Sequence, residues 1–239
     1  MKKKSENDSV PEIASNDEMP QASEQLLLID KPKGISSFDV IRILRRELGI
    51  KKMGHAGTLD PLASGLMLIG VGAGTKLLAD LIGLPKTYEV IALLGRRTTT
   101  GDMEGDVLEE SHQIFVTEAD IKSVLENMRG DLILPVPIYS AVKRGGVPLY
   151  KKARKGQTVE APMRIMHIDS IDLHSIKEKD GQLFVSITMD VASGVYVRSV
   201  IEELGMRLRV PATTYELRRT RIGLYSVEQA RKIKKQGEI

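Results

Sequence analysis

Residues 182–208, QLFVSITMDVASGVYVRSVIEELGMRL, change their hydrophobic period part-way along. Leu183, Val185, Ile187, Met189 and Val191 alternate along the first ten positions, the period of a strand with one buried face, and YVRSVIEELGMRL then takes up helical spacing. The same two patterns recur outward from here. LLLI at 26–29 reads as a buried strand ended by a turn at Pro32 and Gly34. SSFDVIRILRRELG follows as a helix, with Ser36 and Asp39 as a capping box and Gly49 suited to the position after its end. Phe38, Ile41, Leu44 and Leu48 form its expected apolar face, and Arg42, Arg45 and Arg46 lie off it. KTYEVIALLG at 86–95 reads as a strand with Tyr88, Val90, Ala92 and Leu94 on one side. TEADIKSVLENMRG repeats the capped-helix pattern, from Thr117 and Asp120 through Ile121, Val124, Leu125 and Met128 to Gly130. Strands and helices interleave without a regular strand-helix-strand period or an internal repeat. That order predicts an α+β fold around a mixed or mainly antiparallel sheet.

Between these elements, LPVPIYSAVKRGGVPLY at 134–150 carries three prolines and two adjacent glycines, and reads as a long irregular loop covering a site. The chain is 239 residues long and 41% hydrophobic, enough for a sizeable core. It has no Cys, which excludes disulfides, thiolate metal sites and a Cys nucleophile and is compatible with a reducing compartment. Residues 1–24 are polar and acidic and read as a disordered tail. They contain no apolar segment of the secretory kind, and no run of about 18 apolar residues occurs elsewhere, so a soluble, cytoplasmic protein is expected.

The formal net charge is +3, but it is unevenly spread. The tail holds three Lys against six acids, whereas residues 209–239 hold eight Lys or Arg against three Glu, and the sequence ends at Ile239 within a segment that reads as basic and helix-like. A second basic stripe, PLYKKARKG, spans 148–156. Together they favour a polyanionic partner.

Several chemistries lose support. GVGAGTK at 70–76 lacks the Gly-Lys-Ser/Thr ending of a phosphate loop. The histidines at 55, 112, 167 and 174 include no i, i+4 pair, so no catalytic zinc site is expected and the last three read as surface or strand residues. No Gly-x-Ser-x-Gly elbow is present. What stands out is GHAGTLDPLASG at 54–65, with one histidine, one carboxylate and three glycines ahead of the apolar run 66–71. Asp60 before Pro61 is either a turn-former or the working group of a site, and its spacing leaves both readings open.

Taken with LLLIDKPKGISSFDVIRILRR, KTYEVIALLGRRTTTGDMEG, YSAVKRGGVPLYKKARKG, GVYVRSVIEELG and LRRTRIG, in this order, GHAGTLDPLASG resembles the TruB family of pseudouridine synthases. The resemblance runs from about residue 26 to about residue 230 and implies the pseudouridine synthase fold, with a central RNA-binding cleft. It implies isomerisation of the T-loop uridine at tRNA position 55: the glycosidic bond is cut, the flipped uracil rotates, and C5 joins the ribose C1′. No cofactor or metal is needed for this.

By the same resemblance, Asp60 is the essential carboxylate. It attacks the sugar, stabilises its positive character, or removes the C2′ proton. Arg198 is its charge partner, and Tyr88 stacks on the uracil and helps remove the C5 proton. His55 holds the rearranged T-loop, and Tyr196 and Leu217 frame the base. Lys143, Lys151, Lys152 and Arg154, in an RNA-clamping insertion near 131–156, are expected phosphate contacts. The chain departs from the family pattern at Leu134, Thr99 and Val195, which stand where Gln, Asp and Thr are usual. The expected organisation is a tail to residue 24 and a catalytic domain over 25–239 without the C-terminal PUA domain common among bacterial members. It is expected to act on the tRNA T-arm as a monomer without an obligatory protein partner. An RNA-binding module that no longer needs catalysis, and a guide-RNA-dependent relative, are the competing readings.

Overall fold

In a computed structural model, the described residues are 25–153, 157 and 160–233. The expected tail and Arg154 therefore lie outside them. The chain begins with β1 (Gln25–Lys31), α1 (Ser37–Leu48), β2 (Met53–His55) and β3 (Ser64–Val71). A 3₁₀ turn (Gly72–Leu77), α2 (Leu78–Ile82) and β4 (Lys86–Leu94) follow, and then a side hairpin of β5 (Arg96–Thr98) and β6 (Val107–Glu110). Next come α3 (Glu118–Glu126), β7 (Gly130–Pro135), β8 (Lys143–Arg144), β9 (Val147–Pro148) and α4 (Leu149–Ala153). The last part is β10 (Met163–Lys179), β11 (Gln182–Val191), α5 (Val197–Leu208), β12 (Ala212–Ile222), β13 (Tyr225–Ser226) and β14 (Arg231–Lys232).

One ten-stranded sheet organises the molecule, in the order β14-β1-β3-β12-β4-β11-β10-β7, with β2 on β3 and β13 on β12. Among the described strands only β1/β14 and β3/β12 run parallel, so the sheet is mixed and mainly antiparallel, as the element order predicts. The apolar run 66–71 does not alternate because β3 is buried on both faces. Met67, Ile69 and Val71 join the large core with Val40, Ile41 and Leu44 of α1, Ile121 of α3 and Val200, Ile201 and Leu204 of α5. Leu66 and Leu68 face a smaller core with Leu26, Leu28, Leu81 and Tyr225.

Both capping boxes form, Ser36 with Asp39 and Thr117 with Asp120, and α1 ends at Gly49 in the left-handed region, φ 67°. Three expectations are corrected. Phe38 is not on the apolar face of α1 but 59% exposed, under the Arg42 guanidinium at 6.0 Å from its ring centroid. Ser37 takes the inward position because its hydroxyl clasps Leu59, and the next residue is thereby turned outward. The segment 134–150 is not wholly irregular. It carries the β8/β9 hairpin, whose turn residues Gly145 and Gly146 have φ 63° and 78°, and opens α4. The helix-like segment expected before Ile239 is not an α-helix in its described part: after Gly223 (φ 53°), residues 225–232 make β13, a 3₁₀ turn and β14, which finds backbone partners along β1, and residues 234–239 lie outside the described residues.

The fold places the cleft-forming groups in register. Arg219 pairs with Tyr88 and Leu217 with Val90 across β12 and β4, and Arg198 enters from the first turn of α5.

Candidate active site

Asp60 sits in a loop whose backbone is fixed on both sides. The Ser37 hydroxyl donates to the Leu59 carbonyl at 2.9 Å and accepts from the Leu59 N–H at 2.8 Å. Gly34 N–H donates to the Pro61 carbonyl at 2.7 Å, and Ala63 N–H closes a turn onto the Asp60 carbonyl at 3.1 Å. Asp60 is thus a turn residue through its carbonyl, while its carboxylate takes no part in the turn. Gly65 has φ 107°, and a Cβ there would lie 2.2 Å from the Arg219 carbonyl oxygen, so only glycine lets β3 approach β12 this closely.

The Asp60 carboxylate meets Arg198, whose Nε lies 2.9 Å from Oδ2. Arg198 is 4% exposed and fully engaged: Nη1 donates to the Thr100 carbonyl at 2.7 Å, and Nη2 to the Tyr139 carbonyl at 3.0 Å. Asp102, also buried, lies 3.7 Å from Nη1, so two carboxylates share one guanidinium. Burial pushes the Asp60 carboxyl above its ordinary range, Arg198 pulls it back, and the Asp102 charge pushes it up again. Glu104 is raised by burial and by the same two acids. Glu202, one turn beyond Arg198 on α5, is raised by burial against the pull of Arg198 and Arg97.

Two connected compartments meet at Asp60. The first, about 250 Å³, is lined by Tyr88, Tyr196, Leu217, Lys86, Arg219 and Asp60 among others. The second, about 640 Å³, extends past His55, Thr100, Asp102, Glu104 and Tyr139. Aromatic and apolar walls in the first fit a planar ring, and the carboxylate at its mouth can stabilise or attack an electron-poor carbon.

Three buried basic side chains support the cleft from below. Lys31 donates to the Ile35 and Pro32 carbonyls at 2.7 and 3.1 Å, and burial lowers its pKa to about 8 despite the nearby Asp60. Lys86 donates to Ile82 and Leu84 carbonyls at 2.7 and 2.6 Å and to the Ser193 hydroxyl at 3.2 Å; burial and Arg219 bring it to about 8. Arg219, 1% exposed, donates to the Leu66 and Gly57 carbonyls at 2.8 and 3.1 Å. Burial and Arg219 also hold the His55 ring below its usual pKa, and burial raises the Tyr196 phenol. Among the described residues no group of three His, Asp or Glu side chains is arranged to hold a metal ion, and no helix is long and apolar enough to cross a membrane.

The structure therefore brings together Asp60, Tyr88, Arg198, Tyr196 and Leu217 in one compartment, and places His55 in the other. Lys143 lies in β8, and Lys151 and Lys152 lie on α4, the former exposed and the latter half-buried. Of the three departures, Leu134 is a buried core residue, Thr99 lines the second compartment and Val195 the first. Asp102, Glu104, Glu202, Lys31, Lys86 and Arg219 escape sequence reasoning. Their positions in GDMEG, IEELG, IDK, PKTY and LRRTR are ordinary for surface charges, and only the fold encloses Asp102, Lys31, Lys86 and Arg219, half-buries Glu202 and brings the exposed Glu104 to the cleft.

The fold has the architecture of the pseudouridine synthases, as its matches to solved structures and to a family of such enzymes show. The structure superposes on a solved Cbf5-Nop10-Gar1 complex with a TM-score of 0.66 and 28% identity, over 87% of this chain and 52% of the other, so it spans about half the length of that neighbour. It also matches an H/ACA RNP bound to a substrate RNA containing 2′-deoxyuridine, at a TM-score of 0.64 and 25% identity, over 87% of this chain and 50% of the other. Within that class the chain belongs to the TruB family of pseudouridylate synthases, whose N-terminal-domain model matches residues 45–197. It is 40% identical over 205 residues to tRNA pseudouridine synthase B of Mycobacterium sp. (strain KMS), covering 86% of this chain and 69% of that protein. It is 42% identical over 210 residues to the protein of the same name in Burkholderia pseudomallei (strain 668), covering 88% and 68%.

Proposed function

We propose that the chain converts the T-loop uridine at tRNA position 55 to pseudouridine, with Asp60 as the carboxylate that acts at the ribose. The naming of its relatives as tRNA pseudouridine synthases supports the substrate, and one observation carries the site: Asp60 held 2.9 Å from the buried Arg198 at the mouth of the Tyr88, Tyr196 and Leu217 compartment.

The N1–C1′ bond breaks with its electron pair left on the uracil, the uracil turns while held, C5 bonds to C1′, the C5 proton leaves and N1 takes up a proton, so nothing is oxidised, reduced or consumed. Asp60 must be ionised to meet the positive character that develops on the sugar, and the Arg198 charge favours that form against burial and Asp102, which raise its pKa. Tyr88 stacks on the base and assists loss of the C5 proton, with Tyr196 and Leu217 as the other walls. A base stacked inside the T-loop cannot enter this compartment, so it is flipped out, and His55 in the adjoining compartment holds the loop it leaves. Lys143, Lys151 and Arg154 contact phosphates along the 131–156 insertion of a catalytic domain over 25–239. The enzyme works as a cytoplasmic monomer with neither cofactor nor protein partner.

The test is pseudouridine formation in unmodified tRNA transcript by the purified chain alone, beside Asp60→Asn. Conversion of one T-loop uridine is expected, with the variant slower by more than about a thousandfold but still binding tRNA, because loss of the group that meets transition-state charge costs rate rather than ground-state affinity. A wild type that binds tRNA and converts nothing would replace this reading with that of an RNA-binding module.

A further inference from the structure

Ser140 carries a buried polar group that no described residue satisfies. The residue is 5% exposed, and its hydroxyl oxygen has no hydrogen-bond partner among the described residues. An internal position would make this a plain cost to folding. Ser140, however, lines both compartments of the cleft. Among the described residues, Thr58, Leu59, Asp60, Ser140, Ala141 and Arg198 alone do so, which places them at the seam where the compartments meet.

Seam geometry determines what the hydroxyl can reach. With the base among Tyr88, Tyr196 and Leu217 and the neighbouring RNA in the His55 compartment, the unit between them is the ribose on which Asp60 acts. An internal ribose offers a single free hydroxyl, the 2′-OH, since its 3′ and 5′ oxygens are esterified. Among the polar side chains at the seam, Asp60 and Arg198 are committed to each other and Thr58 is exposed to solvent. The segment bearing Ser140 is also held in place, because Arg198 Nη2 donates to the carbonyl of Tyr139.

Resting on the proposed function, we infer that Ser140 is a specificity-determining residue whose hydroxyl hydrogen-bonds the 2′-OH of the target nucleotide. It thereby registers the sugar against Asp60 and discriminates ribose from deoxyribose. A hydroxyl both donates and accepts, so it matches the 2′-OH in either direction. Until the substrate arrives the group stays unpaired, and substrate loss is then felt as an orphaned buried hydroxyl, the arrangement that gives strong rejection of an analogue lacking the partner.

The experiment is a double-mutant cycle between enzyme and RNA. A T-arm RNA with either uridine or 2′-deoxyuridine at the target position is titrated against Asp60→Asn and Asp60→Asn/Ser140→Ala, so that chemistry does not pull on binding. Removing either hydroxyl should weaken binding about tenfold, and removing both should weaken it no further, as for a single shared contact. Ser140→Cys, which keeps the volume and loses the strong donor, should give the same pattern. The thermal midpoint of Ser140→Ala should be unchanged or raised, since the variant removes an unsatisfied buried group. Full affinity of the Ser140 variants for the ribose form, or losses that multiply, would overturn the assignment. With Asp60 intact, the wild type must convert the ribose form: failure there removes the proposed function itself, whereas conversion with an additive cycle removes Ser140 alone.

Discussion

Asp60 and Asp102 press on one guanidinium from two sides, so the ionisation of the first depends on the charge of the second. Burial and Asp102 both raise the Asp60 carboxyl, and Arg198 opposes them. If activity requires the ionised form, the acid limb of kcat/KM against pH reports this pKa in the free enzyme. Asp102→Asn removes a like charge and leaves Arg198 less compensated, and both changes lower the Asp60 pKa. The acid limb should therefore move to lower pH in Asp102→Asn, whatever happens to the plateau. A limb that stays in place would mean that Arg198 pairing and burial alone set the ionisation. None of this can be read from spacing, because Asp102 and Arg198 lie far apart in the chain and a charged residue after a glycine is most often a solvated turn. Asp60 itself was half legible: Asp before Pro correctly signals a turn, but only resemblance to a family singles out its carboxylate.

At the scale of elements, the chain makes visible what repeats locally. The capping boxes of α1 and α3 and the alternation in β4 and β11 are legible because each depends on residues within one or two turns of one another. The position of Phe38 was not, because a tertiary contact, Ser37 onto Leu59, decides which way the first turn of α1 faces. That contact also links α1 to the loop that carries Asp60, since Leu59 immediately precedes it. Ser37→Ala leaves the Leu59 N–H without its side-chain acceptor and its carbonyl without its donor, both in a buried setting. A loss of about 1–3 kcal/mol is expected. For a chain of this size that lowers the thermal midpoint by roughly 3–10 °C. The single-turnover rate should fall more than tRNA affinity, because the loop holding Asp60 loosens while the phosphate-binding surface is untouched. A variant that melts lower but turns over at the wild-type rate would show that the remaining ties at Pro61 and Ala63 suffice.

Across the whole molecule, the unusual feature is the number of cations enclosed under the cleft with carbonyls rather than carboxylates as their main partners. Lys31, Lys86 and Arg219 fasten the turn after β1, the end of α2 and the β3/β12 contact respectively, and they leave positive potential behind a site that receives a polyanion. Sequence composition showed a modest basic excess but not this arrangement, which exists only once β4 and β12 pair. It has a measurable consequence for stability. Lys31 and Lys86 each fall from 10.5 to about 8 in the folded protein. Below pH 8 both states carry the protons and the folded state bears the full burial penalty. Between about pH 8 and 10 the unfolded chain still binds protons that the folded chain has released, so unfolding free energy rises with pH, by up to about 3 kcal/mol for each lysine. Tyr196 and Tyr225, whose phenols are raised by burial, act in the opposite direction only at higher pH. Urea unfolding followed from pH 7.5 to 9.5 should therefore show a rising midpoint, where a protein with exposed lysines would show none. Lys86→Met, which leaves the Ile82 and Leu84 carbonyls without their donor, should be less stable at pH 7.5 yet climb less steeply with pH. A Lys86→Met slope equal to that of the wild type would mean that this ammonium keeps its proton throughout the window, compensated by its three acceptors.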